Sequence, residues 1–76
     1  MTTIASPTTI GLRLYRLRAE RGWSGRTVAT KLGVNHVSYY NWEWGKYRIP
    51  LERAIQLADL YGVSVESIFG ENERSE

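Results

Sequence analysis

Five side chains of unlike chemistry fall on one stripe of a short helical segment. His36, Val37, Tyr40, Asn41 and Trp44 lie at offsets of zero, one, four, five and eight from His36, opposite the apolar pair Tyr39 and Trp42. The Asn41 amide offers a donor and an acceptor together, which match the N7 and N6 edge of adenine. The His36 imidazole can donate to a guanine acceptor or to a phosphate, and Val37 can meet a thymine methyl. Tyr40 can touch a phosphate or pack on a sugar. The plain alternative for each is a solvated helix position, and for Val37 a stray surface apolar group. Trp44 has three open roles: packing over the next loop, donating its indole N–H to a phosphate, or meeting another subunit.

Catalysis has little to work with. His36 is the only histidine and there is no cysteine, so a second imidazole or a thiol is missing from any metal site or catalytic pair. No nucleophile–base pair or phosphate-binding loop stands out, and 76 residues are too few to enclose a pocket. An enzyme is not expected, nor are a cofactor, a metal or a small-molecule ligand. Lack of cysteine also means that no disulfide staples the fold, which suits a reducing cytoplasm. No stretch approaches the roughly 20 apolar residues of a membrane span.

The elements that must position the stripe follow from caps and periodicity. Ile10, Leu14, Leu17 and Arg21 predict a first helix, capped by Thr8 or Thr9 behind Pro7 and ended by Gly22. Ser24 caps a second from about Gly25 to Leu32, with Val28, Ala29 and Leu32 inward. Gly33 stops it. Asn35 caps a third running to about Trp44, so a very short turn joins the two. Pro50 suits the first turn of a fourth helix, with a buried stripe of Leu51, Ala54, Ile55, Ala58 and Leu60 or Tyr61. Ser64 caps a last one through Phe69, with Ile68 inward. The expected fold is all-α, with five helices around one core over residues 9–70, a flexible arm over 1–8 and a polar tail over 71–76.

Charge is uneven. Residues 1–48 carry eight basic and two acidic side chains, whereas 49–76 carry two basic and six acidic ones. A basic front and an acidic back fit a polyanion on one side, or ordinary surface charge.

The window Gly25–Trp44, with Ala29 four residues before Gly33 and apolar Val28, Leu32, Val34, Tyr39 and Trp42, resembles the lambda-repressor/Cro-like (XRE) helix-turn-helix family. The segments IGLRLYRLRAERGWS and WEWGKYRIPLERAIQLADLYGVSVESIFG extend the resemblance over about Ile10–Gly70. It implies a compact lambda-repressor-like domain that binds double-stranded DNA as a phage or bacterial transcription regulator. The reading helix, residues 35–44, would lie in the major groove with His36, Val37, Tyr40 and Asn41 towards the bases. Phosphates would be met by Ser24 and Asn35 at helix starts, and by Arg26, Lys46, Tyr47 and Arg48. Arg18 and Glu43 match the family's structural ion pair.

The resemblance further implies a cytoplasmic protein acting as a homodimer on a palindromic operator. Leu12, Tyr15, Val65 and Phe69 are candidates for a subunit or partner contact, with core packing as the other reading of Val65 and Phe69. Some related activators touch RNA polymerase through acidic residues on the second helix, and Ser24–Trp42 contains none, which points to a repressor. The alternative is a protein-interaction module, an antitoxin or anti-repressor partner that uses the same fold. Control is expected to come from concentration, a protein partner or a further segment. Two positions depart from the pattern. Gly25 replaces a frequent phosphate-gripping glutamine, and Tyr39 replaces a smaller β-branched residue.

Overall fold

The computed structural model describes residues 4–70. Five helices follow one another: α1 Pro7–Glu20, α2 Gly25–Leu32, α3 His36–Glu43, α4 Leu51–Tyr61 and α5 Val65–Phe69. The fold is all-α. Beyond the helices the described residues hold one isolated antiparallel bridge, Ile4 to Gly70, and no strand.

Helix α1 starts earlier than its threonines suggest. Ser6 is the cap, accepting from the Thr9 N–H at 3.1 Å, and Pro7 occupies the first turn. Proline fits there because a first-turn N–H has no helical acceptor to lose. The flexible arm expected over residues 1–8 is corrected over 4–8. Ala5 is buried and its N–H donates to the Phe69 carbonyl at 2.8 Å, so this segment is tied to the end of α5. Residues 1–3, and the tail expected over 71–76, lie outside the described residues.

The α2–α3 pair forms as its caps dictate. Ser24 Oγ accepts from Thr27 N–H at 3.0 Å, and Asn35 Oδ1 accepts from Val37 N–H at 2.7 Å. Gly33 takes φ 77°, and the following Val34 N–H returns to the Ala29 carbonyl at 3.0 Å. That left-handed turn is strained for any residue with a Cβ.

Helix α4 turns a different face inward from the expected one. Ala54, Leu57, Ala58 and Tyr61 are buried, whereas Leu51 and Ile55 are exposed. Both stripes have helical spacing and share the two alanines, so periodicity could not choose between their flanks. Pro50 stands before the helix as its cap residue rather than within its first turn. The Tyr61 ring stacks on Trp23 with centroids 5.9 Å apart. Its hydroxyl is buried without a hydrogen-bond partner among the described residues, and burial pushes the phenol up to about 12.

Arg13 of α1 and Arg21, the residue that caps its carboxyl end, reach the far half of the chain. Arg13 Nη1 donates to the Ile68 and Gly70 carbonyls, and Arg21 Nη2 donates to the Tyr61 carbonyl at 2.9 Å. Cations suit these positions because the last carbonyls of a helix lack intrahelical partners. They hold α4 and α5 against α1, and so fix the platform on which α3 lies.

Candidate nucleic-acid interface

Helix α3 is anchored from below by a network built on Glu43. Arg18 donates to Glu43 through Nε and through Nη2, the latter at 3.0 Å, while Tyr39 Oη donates to the same carboxylate at 2.7 Å. Arg18 Nη1 also donates to the Trp23 carbonyl at 3.1 Å. The pair is largely enclosed, with side-chain exposures of 15% for Arg18 and 4% for Glu43. The carboxylate bond holds the Arg18 guanidinium in its charged form, and burial raises the Tyr39 phenol far above its ordinary range. Arg18 therefore sits where an internal brace sits, and its fork is turned to Glu43. Tyr39 has a role that a β-branched side chain lacks: its hydroxyl supplies a third donor to that carboxylate.

Gly25 and Tyr40 explain each other. A Cβ at Gly25 would run into the Tyr40 ring, whose hydroxyl oxygen would stand 2.7 Å away. The aromatic ring thus fills space over the start of α2 that a side chain at 25 would need. Tyr40 is half-buried and stacks on Trp44, centroids 5.8 Å apart, with the Arg18 guanidinium 5.8 Å from its ring. It is a packing residue at the rim of the stripe more than an open side chain. Trp44 is 69% exposed, so the stack covers little of it.

The remaining α3 stripe is open. Val37 is 57% exposed, and His36 and Asn41 are partly exposed. Ser38 is exposed too. Sorting residues into an inward pair and an outward stripe passed over it, although its place directly after Val37 could have marked it. Arg26 Nη2 lies 3.3 Å from His36 Nε2, so a residue of α2 and one of α3 meet on this surface.

The charges around the stripe are one-sided. Neither α2 nor α3 has an acidic residue in its first turn, whereas α4 has Glu52 and α5 has Glu66. The positive ends of α2 and α3 are thus left without a carboxylate of their own. The single acid of α3, Glu43, is engaged by Arg18. Arg26 is exposed in the first turn of α2, while Lys46, Tyr47 and Arg48 are exposed in the loop that follows α3, with Lys46 Nζ 5.7 Å from the Tyr47 ring. Ser24 Oγ is occupied by its cap and by Thr27 Oγ1, while the Asn35 cap uses only the amide oxygen. Exposed cations and helix-start N–H donors thus accompany a mixed polar and apolar ridge.

A family model described as a helix-turn-helix domain matches residues 9–68. The chain belongs to the helix-turn-helix family. As a helix-turn-helix protein of XRE type, it is 31% identical over 64 residues to the HTH-type transcriptional regulator AnsR of Bacillus subtilis (strain 168). That match covers 84% of the chain but 55% of AnsR, so the chain spans about half the length of this relative. The DNA-binding domain of S. venezulae BldD is similar in structure, with a TM-score of 0.72, 27% identity and coverage of 84% of this chain and 96% of that one. A crystal structure of the BldD DNA-binding domain matches with the same score and identity, over 93% of its length.

The expected site residues do not all share one surface role. His36, Val37, Asn41 and Trp44 lie on the open ridge, Arg26 meets it at His36, and Lys46, Tyr47 and Arg48 are exposed in the loop after α3. Leu12 and Tyr15 are exposed and, with Thr8, Tyr40 and Trp44, line a shallow groove between α1 and α3. Val65 and Phe69 are half-buried against the core, and Ile68 is fully buried.

Proposed function

We propose that this helix-turn-helix domain binds double-stranded DNA by sequence, with α3 in the major groove, as a bacterial or phage transcription regulator. The observation that carries this reading is the pairing of the open α3 ridge with two helix N-termini that have no acid of their own, Arg26 standing at both of them and Lys46 and Arg48 exposed in the loop after α3. Phosphates recruit such donors and fix register, while the ridge meets base edges. Asn41, Val37 and His36 are the base readers, with Ser38 and the edge of Tyr40 beside them. Lys46, Tyr47, Arg48, Arg26, Asn35 and the N–H groups at Ser24–Gly25 meet phosphates. DNA as partner places the protein in the bacterial cytoplasm, or in that of a phage-infected cell.

One domain of this size reads few base pairs, so two copies on half-sites about one helical turn apart complete the operator. Phe69 and Val65, which keep part of their surface open, are the proposed subunit contact. The absence of acid from Ser24 to Trp42 favours repression. A reporter fused to the operator-bearing promoter should be silenced by the protein, and activation would refute that part.

Two substitutions separate reading from docking. Asn41→Ala is expected to weaken the specific site by about 1–3 kcal/mol with little change on random DNA. Equal loss on both in a binding titration would remove Asn41 from the base readers. Lys46→Ala should instead weaken all sequences alike and reduce the slope of log K against log salt by about one unit. An unchanged slope would place Lys46 off the phosphates.

The exposed groove of Leu12, Tyr15 and Trp44 favours a second reading, a protein-interaction module that meets an antitoxin or anti-repressor partner. A protein that selects no DNA sequence, yet is protected at Leu12 and Tyr15 in a complex, would support it.

A further inference from the structure

The contact between Arg26 and His36 bears on how the ridge reads a base, and its consequence for specificity rests on the proposed binding of DNA. Arg26 Nη2 stands 3.3 Å from His36 Nε2. A guanidinium is always protonated and has donors only. A hydrogen bond between the two therefore needs a lone pair on Nε2. That assigns the imidazole proton to Nδ1, the reverse of the tautomer that free histidine favours in water. The ring is then neutral and carries a single donor.

We infer that Arg26 is a positioning residue for His36: it fixes the imidazole as an Nδ1–H donor, and this makes His36 select a base edge rich in acceptors. Guanine presents two acceptors, N7 and O6, and no donor in the major groove, whereas cytosine presents an amine donor. At the base pair under His36 the preferred base is guanine and the most penalised is cytosine. Arg26 does this without touching the base. A lone His36, free to present either nitrogen, would discriminate less. The same contact joins the first turns of α2 and α3, so the base reader is oriented by the helix whose N-terminus docks on the backbone.

The test uses the 76-residue protein, in which His36 is the only histidine, so its ring nitrogens are assigned without ambiguity. Long-range proton–nitrogen spectra near pH 8, where an ordinary imidazole is neutral, should show Nδ1–H in the wild type. Arg26→Lys, which keeps a donor-only group, should retain that tautomer, while Arg26→Ala should revert to Nε2–H. In competition between a selected site and its guanine-to-cytosine variant, Arg26→Ala should lose about fivefold of the discrimination, the worth of one hydrogen bond. That loss should vanish on a His36→Ala background, because the two act through one contact. An Nε2–H tautomer in the wild type overturns the inference. So does an Arg26→Ala loss that is equal on every base, which is the signature of a phosphate contact alone. If the wild type enriches no sequence, the base-reading claim falls with the function it rests on, while the spectrum still decides whether Arg26 sets the tautomer.

Discussion

Arg18→Ala is expected to destabilise the fold by about 3 kcal/mol, a large part of what a domain of this size has. The substitution leaves the Glu43 carboxylate enclosed at 4% exposure with Tyr39 Oη as its only donor, where three hydrogen bonds stood before. An unpaired buried charge costs about 3–5 kcal/mol. The lower end applies because the Arg18 side of the pair reaches solvent, which softens the loss. The guanidinium also lies 5.0 Å from the Tyr15 ring and donates to Trp23, so its removal loosens the end of α1 as well. Arg18→Lys should not restore stability, since an ammonium cannot make the two-pronged contact. Thermal unfolding should show a fall in Tm of roughly 10 °C or more. A shift below about 2 °C would mean that the pair is exposed in solution.

Gly11→Ala should be nearly as damaging, against the ordinary preference for alanine in a helix. In isolation that change favours a helix by about 1 kcal/mol. Here Gly11 is buried where α1 crosses the carboxyl end of α3. A Cβ would overlap the Glu43 carbonyl oxygen, with the Trp42 carbonyl oxygen 2.8 Å away. Both are backbone atoms, which cannot rotate aside as a side chain end can. The helices must separate, and the Arg18–Glu43 fork spans that same crossing. Overpacking of this kind costs about 1–3 kcal/mol, occasionally more; a clash with backbone puts it at the upper end, so after the helix gain of about 1 kcal/mol the net expectation is a loss of about 2 kcal/mol. Urea unfolding of the variant should show a lower midpoint. A midpoint raised by the helix propensity of alanine would show that the crossing has room to spare.

The two departures from the family pattern look like defects when read singly in sequence. Gly25 lowers helix propensity, and Tyr39 overfills its slot. In the fold, Gly25 clears space for the Tyr40 ring, and the Tyr39 hydroxyl completes the Glu43 network. Neither compensation was legible, because each joins residues on different helices or turns on a hydroxyl whose acceptor lies a turn away. Gly11 was equally silent, since the demand for a missing Cβ comes from α3 and not from α1's own pattern. What sequence did reveal was local. Ser24, Asn35 and Ser64 cap as their types suggest, Gly33 takes the left-handed turn, and Ile10, Leu14, Val28 and Ala29 face the core. Helix α4 marks the boundary: its alanines were placed, but which flank accompanied them depended on the packing partner. The site shows the same division. The ridge His36–Val37–Asn41 follows from helical period alone, whereas the meeting of Arg26 with His36 needed the angle between α2 and α3.

The most direct test is selection of a randomised duplex pool by the purified protein at moderate salt, followed by sequencing. The expected result is a palindrome with half-sites whose centres lie about one helical turn apart, relaxed at one position of each half-site on Asn41→Ala and weakened throughout on Lys46→Ala. Recovery of no sequence above random DNA would contradict the assignment of α3 as a reading helix.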